Sequence, residues 1–400
     1  MAAPGKRLKI AQVATIGLTV RWVLLEYMQG LARAGHEVVA VCAPGEWVEE
    51  IRAAGFRVET VPMSRELSPL RDVRSLFALR ALFRRERFDV VHTQTPKAGL
   101  LGPLAARMAG VPCIVHSIFG LLYHDRMPRW RRALFWMPEK WTAFWAHQLL
   151  AQSREDIAVA QATWLCPARK MHYIGNGVDV ERFAPQARSA ERPLGLAAND
   201  IAVGSVGRLV YEKGFAELFA AAEILQRRRS DVKFVVIGPK EHDQNDALPD
   251  EQIQALENSG LVRFTGWADE VERWYHALDI FVLPSHREGI PRACAEAAAC
   301  GLPVVATDIR GCRELIKNGE TGLLVPVRNA QALADAIERL ADDPALRVRM
   351  GDAARRHIVA NFNHQQVMER MLAFYDEIEG KLHRRTIARA AAVNADSNGD

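Results

Sequence analysis

Residues 286–303 read HREGIPRACAEAAACGLP. Glu288 and Glu296 stand eight positions apart across a Gly-Ile-Pro turn, and the second falls in an alanine-rich run that predicts helix. A helix N-terminus presents unpaired backbone N–H groups and partial positive charge, so it suits an anion. Gly289 lets a ligand approach the main chain closely, and Pro291 fits the first helical position, where a missing N–H costs nothing. Gly301 and Pro303 end the run. A carboxylate one to two turns into that helix, as Glu296 is, can accept hydrogen bonds from both hydroxyls of a vicinal diol. Glu288, before the turn, would face the other end of the same ligand. The alternative is that both are solvated surface charges, Glu296 being favoured by the helix dipole.

A second stretch, GSVGRLVYEKG at 204–214, carries the complementary charge. A strand ends in Gly207-Arg208, and Lys213-Gly214 opens a helix. Two cations on a glycine-flanked loop suit a diphosphate, Arg208 through a bidentate grip and Lys213 as a point charge.

Such loops need sheets to hold them. The first half alternates strand and helix patterns. LKIAQVA, HEVVAVCAP, FDVVHTQT, VPCIVHS and HQLLAQS read as strands. VRWVLLEYMQGLARAG, LRDVRSLFALRALFRRERF and KAGLLGPLAARMAG read as helices, and Ser153 caps another that begins REDIAVA. The pattern pauses at 175–200, a Gly-, Pro- and Ala-rich linker, and restarts with IAVGSVG. FAELFAAAEILQRRR, DEVERWYHAL, the run from Arg292 and AQALADAIERLAD then read as helices, among the strands VKFVVIG, LVRFTGW, DIFVLPS, PVVAT and GLLVP. This alternation predicts an α/β protein with two doubly wound, parallel-sheet (Rossmann-like) domains, 1–180 and 196–363, facing across a cleft. Ligands of such sheets bind beyond the carboxyl ends of the strands. The tail 384–400 lacks apolar periodicity and is expected to be disordered.

The chain has 400 residues, 49% apolar and 25% charged, which suits a soluble protein of two cores. No apolar run approaches the roughly 20 residues that span a bilayer. The N-terminal stretch alternates like a strand and is not read as a signal peptide. Six cysteines without a CxxC pair read as reduced, mostly buried thiols of a cytoplasmic protein. The net charge of +4 is uneven: residues 1–180 hold 24 Lys+Arg against 15 Asp+Glu, whereas 181–400 hold 28 against 33. The basic half suits an anionic lipid surface or a phosphate-bearing substrate, or is plain solubilising charge.

Taken together, EGIPRACAEAAACGLPVVAT, GRLVYEKG, GNGVDVERF, HTQTPKAGLLGPLAARMAGVPCIVHS and GETGLLVPVRNAQALADAI resemble segments of the retaining glycosyltransferases of family 4. These have the GT-B fold and an E-x7-E signature, and the resemblance spans roughly residues 8–380. It implies a nucleotide-sugar donor held mainly by the second domain. Arg208 and Lys213 would hold the diphosphate and stabilise it as it leaves. Gly289, Ile290 and Pro291 would meet sugar and phosphates, Glu296 the ribose, and Glu288 the sugar near the reacting carbon. Gly266 and Trp267, in the segment 263–267, would lie near the base. Gly17, Lys97, His116 and His124 would lie on the acceptor side. A final helix, 364–383, would return to the first domain, and the domains would close about the linker. Many members carry a His-Gly pair after the strand equivalent to VPCIVHS. Here Phe119 takes the histidine's place, with His116 three residues before and His124 five after. A retaining transfer can manage without a protein base, because the leaving phosphate oxygen can take the acceptor's proton.

No Asp-x-Asp motif occurs, so no metal site and no obligatory cofactor is expected. Four of nine tryptophans lie in 126–148, where Trp130, Leu134, Met137, Trp141 and Phe144 repeat at helical spacing among arginines. Pro138 is expected to kink or split that helix. The stripe suits either a bilayer interface or packing against the sheet. The expectation is a cytoplasmic enzyme, peripheral on the inner membrane face. It would move a hexosyl or N-acetylhexosaminyl group, from a UDP-linked donor on family frequency, to a lipid-diphosphate-linked or polysaccharide acceptor for lipopolysaccharide or capsule. No nucleic-acid partner is expected. The alternatives are a nucleotide-sugar epimerase on the same fold and a non-catalytic nucleotide-sugar-binding component of a glycan assembly complex.

Overall fold

Apolar runs of four to six residues, too uniform to have one wet face, build both halves of the protein. The computed structural model describes residues 7–66, 68–123, 127–186, 196–197, 199–241 and 246–397. The chain divides into one unit of residues 1–174 with 368–400 and a second of residues 175–367.

The first unit's strands are β1 (Lys9–Val13), β2 (Glu37–Cys42), β3 (Arg57–Thr60), β4 (Val90–Thr93), β5 (Cys113–Ile118), β6 (Gln148–Ala151) and β7 (Met171–Tyr173). Their order is β3-β2-β1-β4-β5-β6-β7, with every neighbour parallel. Every residue of β4 and β5 is buried, as befits central strands covered on both faces. The crossovers are α1 (Gly17–Thr19), continued by a π-helical segment Val20–Leu24 into α2 (Leu25–Arg33), then α3 (Trp47–Ala53), α4 (Pro69–Glu86), α5 (Pro96–Ala109), α6 (Arg129–Trp145) and α7 (Arg154–Ala162). Ser153 caps α7 through hydrogen bonds accepted from the backbone N–H groups of Glu155 and Asp156. Pro138 does not split α6, which runs through it. The lost N–H is tolerated because the helix is held by neighbours on both sides of that turn: Phe135 and Trp136 pack on the core, and Thr142 and Ala143 are buried.

The second unit has β8 (Ile201–Val206), β9 (Val232–Ile237), β10 (Val262–Phe264), β11 (Ile280–Leu283), β12 (Val304–Thr307) and β13 (Gly322–Val325), in the parallel order β10-β9-β8-β11-β12-β13. Around them lie α8 (Phe215–Gln226), α9 (Asp250–Asn258), α10 (Val271–Ala277), α11 (Arg292–Ala299), α12 (Arg310–Leu315), α13 (Ala330–Asp342) and α14 (Pro344–Asn361). The parallel α/β architecture expected of both halves is therefore met.

The last helix, α15 (His364–Ser397), begins in the second unit and belongs to the first from Met368. Its Tyr375 is fully buried there; Gln12 Nε2 donates to the phenol at 3.1 Å, and His92 Nδ1 lies 2.8 Å from it. A disordered tail from 384 is not what the structure has: α15 continues to Ser397, because TIARAAAV, though unable to build a core, consists largely of strong helix formers.

Candidate functional site

The two charged stretches meet at the carboxyl ends of adjacent strands. After β8 the chain turns through Gly207-Arg208, and a short 3-10 turn, Tyr211–Lys213, leads into α8. Gly214 must be glycine: its φ is +74°, and a Cβ there would collide with the carbonyl oxygen of Pro284. That close approach brings the loop after β8 against the loop after β11. Lys213 Nζ donates to Glu288 Oε1 at 2.6 Å, and Ser285 Oγ donates to the same oxygen at 2.8 Å. The Lys213 and Glu288 side chains are 23% and 13% exposed, so the pair is poorly screened and still reachable.

Three further contacts clasp the loops. The backbone N–H of His286 donates to the Glu212 carbonyl at 2.8 Å, Arg287 Nε to Glu212 Oε1 at 2.8 Å, and His286 Nε2 lies 3.0 Å from Glu217 Oε1. Beneath the turn, Asn176 Nδ2 donates to the Ile290 carbonyl at 3.2 Å. Gly311 of α12 packs so tightly under Gly289 that any Cβ would strike its carbonyl oxygen. The Glu288–Pro291 backbone is thereby held from both sides.

Pro291 stands one residue before α11, in an extended conformation (φ −71°, ψ 108°), rather than as its first helical residue. Its ring fixes φ alone, so the cap position accommodates it equally well. Glu296 is the fifth residue of α11. Its side chain is 12% exposed and takes a hydrogen bond from the buried Tyr275 hydroxyl at 2.9 Å. Burial raises its pKa, opposed by Arg292, 3.7 Å away, and by the tyrosine. Arg208 is 43% exposed and 3.6 Å from Glu241. Gly266 has φ +70° and open space where a Cβ would stand. Trp267 is half exposed and donates to Asp269 Oδ1 at 2.8 Å.

Among the described residues, the first-unit candidates do not form such a group. Gly17 opens α1 against Trp47. Lys97 is buried, with both oxygens of Asp72 within 2.7 Å. His116 lies inside β5 under Gly99, 2.8 Å from Thr93 Oγ1, and burial lowers its pKa to about 4. His124 lies outside the described residues. His36, Asp376 and Glu379 bring possible metal ligands within 4.8 Å of one another. His36 Nδ1, however, accepts the Leu8 N–H at 3.3 Å, which puts its proton on the other nitrogen and makes a poor ligand set.

The family model described as glycosyl transferases group 1 matches residues 187–357, and that of a glycosyl transferase 4-like domain matches 19–177. An Escherichia coli UDP-Gal:alpha-D-GlcNAc-diphosphoundecaprenol alpha-1,3-galactosyltransferase is 31% identical over 385 residues, covering 94% of this chain and 98% of that one. The chain belongs to glycosyltransferase family 4. The capsular polysaccharide biosynthesis glycosyltransferase CapM of Staphylococcus aureus is 29% identical, over 80% of this chain and 86% of its own. Among solved structures, a sucrose-phosphate synthase from Thermosynechococcus elongatus superposes with a TM-score of 0.78 at 24% identity, over 96% of this chain and all of that one. The Anabaena protein HepE, solved with UDP and glucose, gives 0.74 at 20% identity, over 92% and 100%. The fold of this glycosyltransferase is therefore GT-B.

The E-x7-E spacing and the Lys213-Gly214 pair mark the turn in the sequence. Tyr275, Ser285, Glu212, Glu217 and His286 are contributors the sequence reading did not find. No motif marks them, and only Glu212 next to Lys213, or Ser285 at the strand end, offered a positional signal.

Proposed function

We propose that this glycosyltransferase moves a sugar, with retention, from a UDP-linked donor to a lipid-diphosphate-linked acceptor in the assembly of a surface polysaccharide. The observation that carries the donor site is the Lys213–Glu288 contact at 2.6 Å, at the mouth of two strand-end loops and one turn before α11. When the donor binds, its phosphate takes the place of Glu288 beside Lys213, and Glu288 turns to the sugar hydroxyls. Arg208 and the first N–H groups of α11 share the remaining phosphate charge. Glu296, already oriented by Tyr275, accepts the ribose hydroxyls. Gly266 and Trp267 flank the base. As the glycosidic bond breaks, the electron pair stays on the diphosphate oxygen, and these cations stabilise it. That same oxygen accepts the proton of the incoming hydroxyl, so the new bond forms on the face the leaving group vacates. The two cations supply the charge a divalent ion supplies elsewhere, and no obligatory metal is required.

The acceptor class is supported by the names of relatives: the E. coli enzyme above and a Campylobacter jejuni N,N'-diacetylbacillosaminyl-diphospho-undecaprenol alpha-1,3-N-acetylgalactosaminyltransferase, 24% identical over 93% of this chain. No described helix is long and apolar enough to cross a membrane. Trp130, Leu134, Met137, Trp141 and Phe144 are 42–72% exposed along one face of α6, among arginines, and we assign this face to an anionic bilayer carrying the acceptor.

The test is an assay of the purified protein with a panel of sugar nucleotides and a diphosphate-linked N-acetylhexosaminyl lipid, with and without EDTA. Transfer to the lipid with an α linkage, undiminished by EDTA, is the expected result. An isomerised sugar nucleotide formed without acceptor marks an epimerase. Donor binding with neither transfer nor slow hydrolysis marks a non-catalytic binding component.

A further inference from the structure

We infer that α4 is a bilayer contact of the first unit, separate from α6, and that its arginines select anionic lipid. A helix laid on a sheet normally turns a polar side to water. α4 does not. Ser75, Leu79, Leu82 and Phe83 are buried and mark its inner side. Leu70 and Phe77 fall opposite them at helical spacing, with Val73 alongside, and the three are 89%, 52% and 53% exposed. Three large apolar side chains thus stand in line along the crest of the helix's first half.

The charge around that line is one-sided. α4 carries five arginines against Asp72 and Glu86. Both acids are already engaged: Asp72 by Lys97 of α5, and Glu86 by Lys9 at 3.0 Å, Arg57 at 2.7 Å and Arg85 at 3.1 Å. Among the described residues, Arg71, Arg74, Arg80 and Arg84 have no acidic partner. Helical spacing puts Arg71 and Arg74 on one side of the apolar line, Arg80 and Arg84 on the other. An apolar line between two rows of cations is the form of a helix that lies in a membrane interface. The apolar residues enter between headgroups, and the guanidinium groups meet lipid phosphates.

The fold gives this face a neighbour of the same kind. The steps from β3 to β4, β4 to β5 and β5 to β6 all advance one way along the sheet, so right-handed crossovers place α4, α5 and α6 on one face. α5 packs against both of the others. The outer sides of α4 and α6 therefore flank α5 and look away from the same face of the sheet. Their chemistry differs. α6 offers five large exposed apolar residues, with its arginines gathered near its start, whereas α4 spreads its arginines along its length. α6 suits depth of insertion, and α4 suits the choice of lipid charge. A partner helix would need a groove to lie in; apolar residues on a crest fit a lipid surface instead. The inference does not rest on the transfer reaction, and it can stand or fail apart from the reading of α6.

The experiment measures binding of the full-length protein to vesicles of phosphatidylcholine alone and of phosphatidylcholine mixed about 2:1 with phosphatidylglycerol, at low salt, with hydrogen exchange to locate the contact. The parent is expected to prefer the anionic vesicles, and exchange in α4 to slow on them. Arg71→Gln/Arg74→Gln/Arg84→Gln should weaken binding to anionic vesicles at least about tenfold, and leave binding to phosphatidylcholine unchanged. Val73→Ser/Phe77→Ser should weaken both. All five side chains are exposed, so the fold does not depend on them. Arginine variants that bind anionic vesicles as the parent does overturn the proposal. Unchanged exchange in α4 on those vesicles also overturns it, and leaves the face to an acidic protein partner. Binding lost with Leu134→Ser/Met137→Ser but not with the arginine variants would remove α4 and keep α6; the reverse pattern would sink the reading of α6 and leave this one standing.

Discussion

At the residue scale, the proposed donor site is a set of charges arranged so that none is idle before a ligand arrives. Lys213 is neutralised by Glu288, Arg287 by Glu212, and Glu296 is oriented by Tyr275. Arg208 is the more exposed cation, with its nearest carboxylate at 3.6 Å, so in the proposed role its turn toward a phosphate costs little. Arg208→Ala is predicted to lower transfer on the order of a hundredfold, as the loss of a stabiliser of developing charge does elsewhere. A rate assay at saturating donor measures it, and an unchanged rate rejects the role. This part of the site was legible because its chemistry is local: the two glutamates stand eight positions apart and the two cations five. Tyr275 was not legible. It lies 21 residues from Glu296, inside a helix whose pattern reads as ordinary core, and only the tertiary fold brings its hydroxyl to the carboxylate. Glu217 and His286, 69 residues apart, were hidden for the same reason.

At the scale of elements, α4, α5 and the central strands of the first unit are tied by polar groups under the surface. Lys97 lies beside Asp72 within a nearly closed space, their side chains 4% and 14% exposed. Removing one partner strands a buried charge. Lys97→Met is predicted to cost about 3 kcal/mol, and the double variant Lys97→Met/Asp72→Leu to regain most of it. Urea midpoints of the three proteins measure this; a single variant as stable as the parent contradicts it. The histidines of β4 and β5 add a pH dependence. Burial holds both neutral, His92 down to about 3 and His116 down to about 4. In the unfolded chain they protonate near 6.5. The unfolded state therefore binds more protons in the interval between, so their contribution is complete above about pH 6.5 and is lost as pH falls toward 3. The urea midpoint should drop between pH 7 and pH 4.5, and drop less in His92→Gln. Equal drops in the two proteins would remove the assignment. The strands themselves were plain in the sequence, because a parallel sheet covered on both faces needs unbroken apolar runs. The three-residue β7, the short α3 and the 18-residue α14 passed unread. The first two are too short to show a period. In α14 the buried face is a narrow line, Leu346, Met350, Ala354 and Ile358, set in an otherwise charged helix.

At the scale of the whole molecule, the two units are joined by a helix that leaves one and ends in the other. Tyr375 seats α15 on the first unit through Gln12 and His92, a buried polar network in which each member is satisfied by another. The basic first half and the exposed stripe of α6 belong to this scale as well. Whether those tryptophans faced the sheet or the outside was open from periodicity alone, since both readings use the same spacing; their exposure favours the outside. Flotation with anionic vesicles is predicted to recover the protein at low salt, to weaken as salt rises, and to fail for Leu134→Ser/Met137→Ser. Recovery that is independent of salt or of the stripe contradicts the assignment.

The proposed donor site stands or falls on a diphosphate seated against Lys213. Calorimetric titration of the parent protein and Lys213→Ala, with whichever of UDP and GDP binds tighter and with the matching nucleoside, isolates that contact. The substitution is predicted to weaken the diphosphate on the order of a hundredfold, and to leave the nucleoside unchanged. A diphosphate bound equally well by both proteins, or an equal loss for diphosphate and nucleoside, would contradict it.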